Sequence, residues 1–384
     1  MITVLAGGVG AARLLRGMVR AVPASDVTAI VNTADDVVLH GLHISPDLDT
    51  VTYTLAGADN PDTGWGVAGE TWQAMDALER LGGKAWFRLG DRDLGTHLHR
   101  TGRLAEGAGL AAVTAEIAAA WGLELTLLPM TEDRVATMVT LARPDGARNQ
   151  ADGETDGQAD DPANGQASQP ASREVGFQEY FVRLGHSVAV ESVRFDGAED
   201  SLPGPGVLDA LADADVVVIA PSNPIVSIGP LLAVPGIADA LRSRRADTVA
   251  VSPIVAGAAL KGPADRMLRE LGHEASVVGV ARLYRDLAAT LVVDTADAGL
   301  ADAVEAEGMA CDFVGHPVVG EKIATHREAA AFRQAHEIGD APLMLVLPGS
   351  RRSEVARLSD VFGDAVARFS QTHPDLRVVI PAAG

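Results

Sequence analysis

Short apolar runs alternate with amphipathic segments along the first part of this 384-residue chain. Residues 2–5 form an apolar run typical of a buried strand, and a glycine-rich loop follows directly. Residues 11–21 carry apolar side chains at helical spacing, and the next apolar run, Val27–Val31, predicts a second strand. This order predicts a βαβ unit, and therefore a parallel sheet with a ligand at the carboxyl ends of its strands.

The same patterns continue beyond this unit. Helices are predicted over 70–82, 110–121, 263–271 and 281–290, and strands over 124–128, Val216–Ala220, Thr248–Val251 and Thr290–Val293. The predicted fold class is therefore α/β, a Rossmann-like parallel sheet with helices on both faces.

Composition narrows the choice of function. The formal net charge of −21 argues against binding to nucleic acid or to an anionic membrane, because both need a basic face. Cys311 is the single cysteine, so no disulfide forms within the chain, as is usual in a reducing cytoplasm. The sequence shows neither a signal-peptide pattern nor an apolar run of membrane-helix length, and we expect a soluble cytoplasmic protein.

Two segments interrupt the α/β pattern. Residues 144–174 consist mainly of Gly, Asp, Gln, Asn, Pro and Ala without a large apolar side chain. Such a composition buries too little surface to offset the entropy of ordering, which predicts a disordered insertion, with a catalytic lid as the alternative. The second break lies near 311–315, where the chain changes character.

The glycines of the N-terminal loop, Gly7, Gly8 and Gly10, are typical of a backbone that approaches a phosphate closely at a helix N-terminus. The loop is a poor dinucleotide fingerprint, because Arg13 stands where a third glycine or alanine is expected. It is no Walker loop either, since Gly-Lys-Ser/Thr is absent. The alternative is a tight turn between strand and helix.

Four carboxylates follow within forty residues of this loop. Asp35 and Asp36 end the second predicted strand, and Asp47 and Asp49 reach one hard cation together if their segment is a turn. The alternative is that Asp47 caps a helix and Asp35 forms an Asx turn.

Polar side chains in three later loops are further candidates. Arg92 offers a planar fork for phosphate or a heterocycle, although a local salt-bridged turn explains it equally. His97, nearby, is either a base or a helix-face histidine. Ser222, Asn223 and Ser252 follow predicted parallel strands, where small hydroxyl and amide groups suit a nucleobase or ribose.

Ten motifs occur in a characteristic order: Leu5–Gly10, Leu14–Gly17, Asn32–Asp36, Ile44–Gly57, Gly64–Val67, Leu89–Asp93, Leu128–Asp133, Phe177–Phe181, Ala220–Pro230 and Ser252–Ala264. Together they make residues 1–311 resemble the 2-phospho-L-lactate transferases of deazaflavin-coenzyme biosynthesis. The resemblance implies transfer of a phospho-lactyl, phosphoenolpyruvyl or phosphoglyceryl group from a guanosine diphosphate derivative. The acceptor is the ribityl hydroxyl of 7,8-didemethyl-8-hydroxy-5-deazariboflavin, and GMP leaves. Which three-carbon acid is transferred stays open.

The same resemblance implies roles for named residues. Asp49 and Arg92 are the expected catalytic residues and contact the deazaflavin, and Mg²⁺ is the expected cofactor, held by Asp49 with Asp36 or Asp47. The expected substrate-binding set is Gly7, Gly8, Gly10, Asn32, Asp36, Asp49, Arg92, Ser222, Asn223 and Ser252. Relatives of this kind also imply a homodimer.

Residues 312–384 carry different motifs, namely Phe313–Pro317, Leu345–Val355 and His373–Ala383. They resemble the lipid-A-disaccharide synthases, in which such a segment opens the second Rossmann-like half. Here a strand, the Gly349–Arg351 loop, a helix and a strand predict a βαβ fragment without glycosyltransferase activity. We expect a chimeric chain, with a natural fusion as the alternative. The competing functions are an inactive nucleotide- or deazaflavin-binding protein and a glycosyltransferase fragment.

Overall fold

The computed structural model describes residues 1–60, 64–142, 173–314, 325–348 and 352–381. The chain divides into two compact units, Met1–Gly315 and His316–Gly384. Of the predicted insertion 144–174, only the last two residues are described, and Glu174 begins a strand. The predicted loop Gly349–Arg351 lies outside the described residues.

The strands of the first unit are β1 (Ile2–Ala6), β2 (Val27–Val31), β3 (Val37–Leu39), β4 (Leu42–Ile44), β5 (Thr126–Pro129), β6 (Ala136–Leu141), β7 (Glu174–Gly176), β8 (Val190–Asp196), β9 (Val216–Ile219), β10 (Thr248–Val251), β11 (Ile254–Val255), β12 (Ala258–Ala259), β13 (Thr290–Asp294) and β14 (Ala310–Val314). Its helices are α1 (Val9–Ala21), α2 (Pro46–Leu55), α3 (Gln73–Arg80), α4 (Asp93–Ala105), α5 (Leu110–Ala120), α6 (Val207–Asp213), α7 (Gly229–Ala233), α8 (Ile237–Ser243), α9 (Ala264–Glu270), α10 (Val277–Tyr284) and α11 (Ala301–Ala306).

Seven parallel strands form the main sheet, in the order β14-β13-β10-β9-β1-β2-β5. Residues of one strand alternate between two cores: Val4 and Ala6 of β1 pack on one face and Leu5 on the other. Helices α1, α2 and α5 contribute to the first core, and α6, α8 and α10 to the second. The predicted Rossmann-like sheet with helices on both faces is confirmed.

Two local predictions were wrong. The helix predicted over 281–290 is α10, which begins at Val277, because the Ser276 hydroxyl accepts a hydrogen bond from the Gly279 amide at 3.2 Å and caps it. The segment with Asp47 and Asp49 is the first turn of a helix, α2, rather than a turn, with Pro46 at its first position.

Strand β14 pairs with β13 along its whole length, from Ala310 to Val314. It therefore runs across position 311, where the sequence places the change of family. The other described strands of this unit form small sheets: a β3–β4 hairpin, a β11–β12 pair, and an antiparallel sheet of β7, β6 and β8.

The second unit contains α12 (His326–Ala335), β15 (Leu343–Leu345), α13 (Arg352–Thr372) and β16 (Arg377–Val379). Strands β15 and β16 pair in parallel, which confirms the predicted C-terminal βαβ fragment. Leu345 and Leu347 stay exposed, as expected for a two-stranded sheet with open edges.

Across the described ranges, no single helix combines the length and apolar character needed to cross a membrane. One helix pair, Pro224–Ala233 with Ile237–Ser243, meets that test jointly by length and composition, and it is bent by 94°.

Candidate active site

The carboxyl ends of β1, β2, β9 and β10 lie side by side, because these strands are parallel neighbours. Gly7 follows β1, Asn32 follows β2, Ser222 follows β9 and Ser252 follows β10. The Gly7 amide donates a hydrogen bond to the Ser222 hydroxyl at 3.2 Å, which joins two of these loops directly. Most of the predicted substrate-binding residues thus share one edge of the sheet, the usual ligand edge of such folds.

Protein atoms lie close to the glycines of the N-terminal loop. A Cβ atom at Gly7 would lie 2.5 Å from the Ser227 Cβ, and one at Gly10 would collide with the Pro221 carbonyl oxygen. Close packing against the loop after β9 therefore requires glycine at both positions, whether or not a phosphate binds. At Gly8 a Cβ would lie 2.5 Å from Asp47 Oδ1, so this carboxylate stands at the N-terminus of α1.

Asn32 is fully buried and joins two carboxylates. Its Nδ2 atom donates to Asp35 Oδ2 at 3.2 Å and to Asp47 Oδ2 at 3.0 Å. Its Oδ1 atom accepts a hydrogen bond from the Ala34 amide at 3.0 Å. These three bonds involve both the NH₂ group and the carbonyl oxygen of the side chain. In this conformation Asn32 therefore holds the two carboxylates in place.

The cluster of Asp35, Asp36 and Asp47 is short of donors. Asp36 accepts from the Ser45 hydroxyl at 2.6 Å, but Oδ1 of Asp35 and Oδ1 of Asp36 are buried and accept no hydrogen bond from any described residue. Burial raises the pKa of Asp36 well above its ordinary value, and burial and the neighbouring Asp47 charge do the same to the pKa of Asp35. Burial also raises the pKa of Asp47 to about 6. The trio holds negative charge unfavourably and would gain from a cation.

Asp49 has different surroundings. Its carboxylate receives two hydrogen bonds from the Arg100 guanidinium, one of them from Nη1 to Oδ2 at 3.2 Å. Both side chains are buried, with 7% of Asp49 and 2% of Arg100 exposed. Burial lowers the pKa of Arg100, but the Asp49 charge and its hydrogen bond outweigh it and leave the pKa raised. The sequence analysis missed Arg100, although Asp93, His97 and Arg100 follow the i, i+4, i+7 spacing of one helix face.

His97 and Asp93 extend this ion pair along α4. His97 Nδ1 lies 3.7 Å from Asp49 Oδ2, and its Nε2 lies 3.3 Å from Asp93 Oδ2. The Tyr53 hydroxyl lies 2.6 Å from Asp93 Oδ1. Burial opposes ionisation of Asp93, but hydrogen bonding and attraction from His97 outweigh it and lower its pKa. Burial, helped by the charges of Asp49 and Asp93, raises the pKa of Tyr53.

Asp49, Asp93 and His97 form a group that could hold a metal ion, because one ligand atom from each lies within 4.8 Å of the others. Among the described residues this is the group of three that meets that condition. The predicted metal set of Asp36, Asp47 and Asp49 shares only Asp49 with it. The reason is α2: residues two apart on a helix point about 200° apart around its axis.

Arg92 stands immediately before α4 and is exposed. Its Nη1 donates to the Ala68 carbonyl at 2.9 Å, and Glu70 accepts from the backbone amides of Arg92 and Asp93, each at 2.8 Å. Glu70 thus caps α4 and fixes the position of Arg92. Within the described ranges, no direct contact joins Arg92 to Asp49, so its role toward a substrate stays a prediction.

The side chains after β9 and β10 take part in their own loops. Asn223 Oδ1 accepts from the Ile225 amide at 2.9 Å and caps the helical turn Pro224–Ile228. The Ser252 hydroxyl donates to the Ile254 carbonyl at 3.0 Å and accepts from its amide at 3.1 Å. These bonds explain the loop shapes, and nucleotide binding by Ser222, Asn223 and Ser252 stays a prediction.

Residues 2–320 match the family described as 2-phospho-L-lactate transferase CofD. The chain belongs to this family. The match covers most of the 384 residues and includes every residue of the candidate site. It confirms the resemblance drawn from the sequence and identifies the first unit as that of a transferase family acting on small molecules. Residues 304–384 match a second family, described as lipid-A-disaccharide synthetase, which also confirms the resemblance stated for the C-terminus.

Curated relatives of this CofD family member carry a more specific name. A phosphoenolpyruvate transferase of Streptomyces griseus subsp. griseus is 44% identical over 341 residues, which cover 88% of this chain and 98% of that protein. One of Kitasatospora aureofaciens is 45% identical over 316 residues, with coverage of 82% and 91%. The crystal structure of a UPF0052 family protein from Bacillus halodurans is 18% identical, with a TM-score of 0.48 and coverage of 82% of this chain and 92% of that one.

Proposed function

We propose that the chain transfers a phosphoenolpyruvyl group from a guanosine diphosphate derivative to the ribityl hydroxyl of 7,8-didemethyl-8-hydroxy-5-deazariboflavin. Membership of the 2-phospho-L-lactate transferase family supports the reaction type. The name of its relatives, phosphoenolpyruvate transferase, favours the enolpyruvyl group over the lactyl and glyceryl groups that the sequence left open. The structural observation that carries the proposal is the convergence of the glycine loop and buried carboxylates at one sheet edge.

In the proposed reaction the acceptor hydroxyl oxygen attacks the β-phosphorus of the donor. A new phosphorus–oxygen bond forms, the bond from that phosphorus to the bridging oxygen breaks, and GMP leaves with the bond's electron pair. The hydroxyl proton is released, and no oxidant or reductant takes part. Positioning and charge stabilisation dominate catalysis in such transfers. Asp49, held by Arg100, and Arg92, at the start of α4, are the residues we assign to the acceptor.

Among the described residues, the ligand atoms converge within 4.8 Å only at Asp49, Asp93 and His97, but we assign Mg²⁺ to the carboxylate trio because of the charges at the two groups. Buried oxygens of Asp35 and Asp36 lack a donor among the described residues, and hard cations prefer oxygen ligands. At the other group, Arg100 Nη1 lies 3.2 Å from Asp49 Oδ2 and 3.4 Å from His97 Nδ1, where its charge would repel a metal ion. We therefore assign the magnesium to Asp36 and Asp47, with Asp35 beside them. When bound, the ion would offset the charge that develops on the phosphoryl oxygens.

The direct test incubates the full-length protein with Mg²⁺, the deazaflavin and guanosine diphosphate derivatives of enolpyruvate, lactate or glycerate. Product is identified by mass and GMP by chromatography. We expect the enolpyruvyl derivative to give the most product and GMP release to require the deazaflavin. GMP release at the same rate without deazaflavin, or a folded protein that forms no product, would contradict the proposal.

A matched pair of variants tests the assignment of Arg92. Arg92→Lys replaces a planar fork by a point charge, and we expect turnover to fall by roughly a hundredfold or more. Arg88→Lys is the control, because Arg88 lies four residues earlier and pairs with Asp76 on the exposed surface. Equal, small effects of both changes would remove Arg92 from the catalytic set.

A further inference from the structure

One of the family motifs, Phe177–Phe181, contributes no residue to the proposed reaction. It follows β7 and leads into a π-helical turn, Glu179–Arg183. Gln178 directly precedes this turn, and its side chain makes no capping bond to it. Instead, its Nε2 atom donates a hydrogen bond to the backbone carbonyl oxygen of Asp35 at 3.3 Å. This bond connects the motif to the acidic trio.

A second contact holds the same loop. The backbone amide of Thr137, in β6, donates to the carbonyl oxygen of Ala34 at 2.8 Å, and Thr137 is almost fully buried. Ala34 and Asp35 both lie in the loop that follows β2. Two consecutive carbonyl groups of this loop are therefore held by the small antiparallel sheet and by the residue that begins the turn after β7.

The turn after Gln178 is itself anchored to α9. Tyr180 is fully buried, and its hydroxyl accepts a hydrogen bond from Arg266 Nη2 at 2.8 Å. The Arg266 guanidinium also donates to the Val188 carbonyl oxygen at 3.0 Å and pairs with Glu270 at 2.9 Å. Because these contacts fix the turn, the Gln178 side chain reaches Asp35 from a rigid support.

The backbone that Gln178 holds carries two carboxylates of the trio. Oδ1 of Asp35 and Oδ1 of Asp36 are buried and accept no hydrogen bond from any described residue. The positions of these two atoms therefore depend on the backbone of the loop. Groups that orient the ligands of a metal ion without touching the ion affect its affinity strongly in many proteins.

We propose that Gln178 is a positioning residue for the acidic trio, because its hydrogen bond to the Asp35 backbone holds the loop after β2 in the shape that binds the cation. This inference rests on the proposed function, since it takes the trio to be the magnesium site. In this role Gln178 touches neither the ion nor a substrate and acts only through Asp35.

The test measures the Kd for Mg²⁺ of the full-length protein from urea denaturation at increasing Mg²⁺ concentration. Gln178→Met keeps the length of the side chain and removes the donor, and Gln178→Ala removes both. Arg183→Met is the matched control, because Arg183 is an exposed residue of the same turn and pairs with Glu179 at 3.1 Å. We expect both Gln178 variants to bind Mg²⁺ roughly fivefold more weakly and the control to keep the wild-type Kd.

A merely structural role of Gln178 would give a different result. It would lower the stability of the variants equally with and without Mg²⁺ and leave the Kd unchanged, which would overturn the inference. Weaker binding by Gln178→Ala alone would also overturn it, because packing rather than the donor would then be responsible. The same holds if Mg²⁺ does not stabilise the wild type.

Product formation by the wild type is measured separately and decides the proposed function. If the wild type forms product and the Gln178 variants bind Mg²⁺ as tightly as it does, the inference is overturned and the proposed function stands. If the variants bind Mg²⁺ more weakly but the folded wild type forms no product, the proposed function fails and the positioning role of Gln178 stands.

Discussion

Asp47 and Asp49 lie two residues apart on α2 and have opposite surroundings. Asp49 receives two hydrogen bonds from a buried guanidinium that the chain itself supplies, from Arg100. Asp47 receives one from the neutral amide of Asn32, and burial raises its pKa to about 6. A helix turns such neighbours to different sides, so a compact acidic motif in a sequence does not define a common site.

The comparison separates two kinds of charge compensation. The Asp49–Arg100 pair is complete within the fold, so its removal should affect stability before it affects chemistry. The trio of Asp35, Asp36 and Asp47 has no such partner, and its raised pKa values show that ionisation is unfavourable there. An external cation should therefore act on the trio and leave the ion pair unaffected.

The largest expected effect comes from breaking the ion pair. Arg100→Ala leaves the Asp49 carboxylate buried without a partner, and we expect the free energy of unfolding to fall by about 3–5 kcal/mol. Urea denaturation measures this change. Arg103→Ala is the matched control on the same helix, because its partners Glu106 and Glu116 are solvent-accessible, and it should have a much smaller effect.

A double-mutant cycle sharpens this prediction. Asp49→Ala leaves Arg100 unpaired and should also destabilise the fold, whereas the double variant should cost less than the sum of the single changes. Additive losses would show that the two side chains contribute independently, and the pair would no longer explain the difference between Asp49 and Asp47.

The second prediction concerns the cation. If Mg²⁺ binds the trio, a hundredfold excess over its Kd should stabilise the wild type by roughly 3 kcal/mol, measured by denaturation with and without the ion. Asp36→Asn or Asp47→Asn should remove most of this gain. Asp26→Asn is the control and should keep it, because Asp26 is exposed and precedes the amino end of β2, at the opposite end of that strand from Asn32 and the trio.

Variants at Asp36 and Asp93 decide which of the two groups binds the metal. Loss of the Mg²⁺ effect in Asp93→Asn, with the effect kept in Asp36→Asn, would move the metal to Asp49, Asp93 and His97. Such a result would mean that Arg100 moves away from Asp49 when the ion binds. The proposed difference between the surroundings of Asp49 and Asp47 would then be wrong.

The parallel sheet could be predicted from sequence because its information is local. Apolar runs such as Val27–Val31 are buried along their whole length, and right-handed βαβ connections leave few alternative topologies. The start of α10 was missed because the apolar run from Val277 does not itself indicate that Ser276, just before it, caps a helix. Helix boundaries depend on single hydrogen bonds that periodicity does not register.

The Asp49–Arg100 pair joins side chains 51 positions apart, so it cannot be predicted from a local sequence pattern. The spacing of Asp93, His97 and Arg100 marked a polar face on α4, but only the packing of α4 near α2 shows what that face meets. The glycines of the N-terminal loop show the opposite case, in which a pattern that is visible in the local sequence has a distant structural cause. Gly10 fits a phosphate loop by sequence, yet the carbonyl of Pro221, far along the chain, already requires it.

The smallest expected effect is a gain in stability. Burial and the Asp47 charge raise the pKa of Asp35 above its value in the unfolded chain, so the ionised carboxylate destabilises the native state at neutral pH. Asp35→Asn removes that charge and keeps an oxygen that can accept from Asn32. In buffer with EDTA we expect it to raise the free energy of unfolding by about 1–2 kcal/mol at pH 8.

The pH dependence of the stability difference between Asp35→Asn and wild type tests this explanation. Well below the ordinary aspartate pKa of about 3.9, the carboxyl of Asp35 is protonated in both the folded and the unfolded chain, so the difference between variant and wild type should shrink toward zero as pH falls to about 4 and below. The gain should grow as pH rises from about 3.9, the pKa of the unfolded chain, to the raised native pKa, and it should stay constant above the native pKa. Asp26→Asn should follow the wild-type curve throughout. An equal gain at pH 4 and pH 8 would show that asparagine merely packs better, and that Asp35 carries no unfavourable charge for a cation to offset.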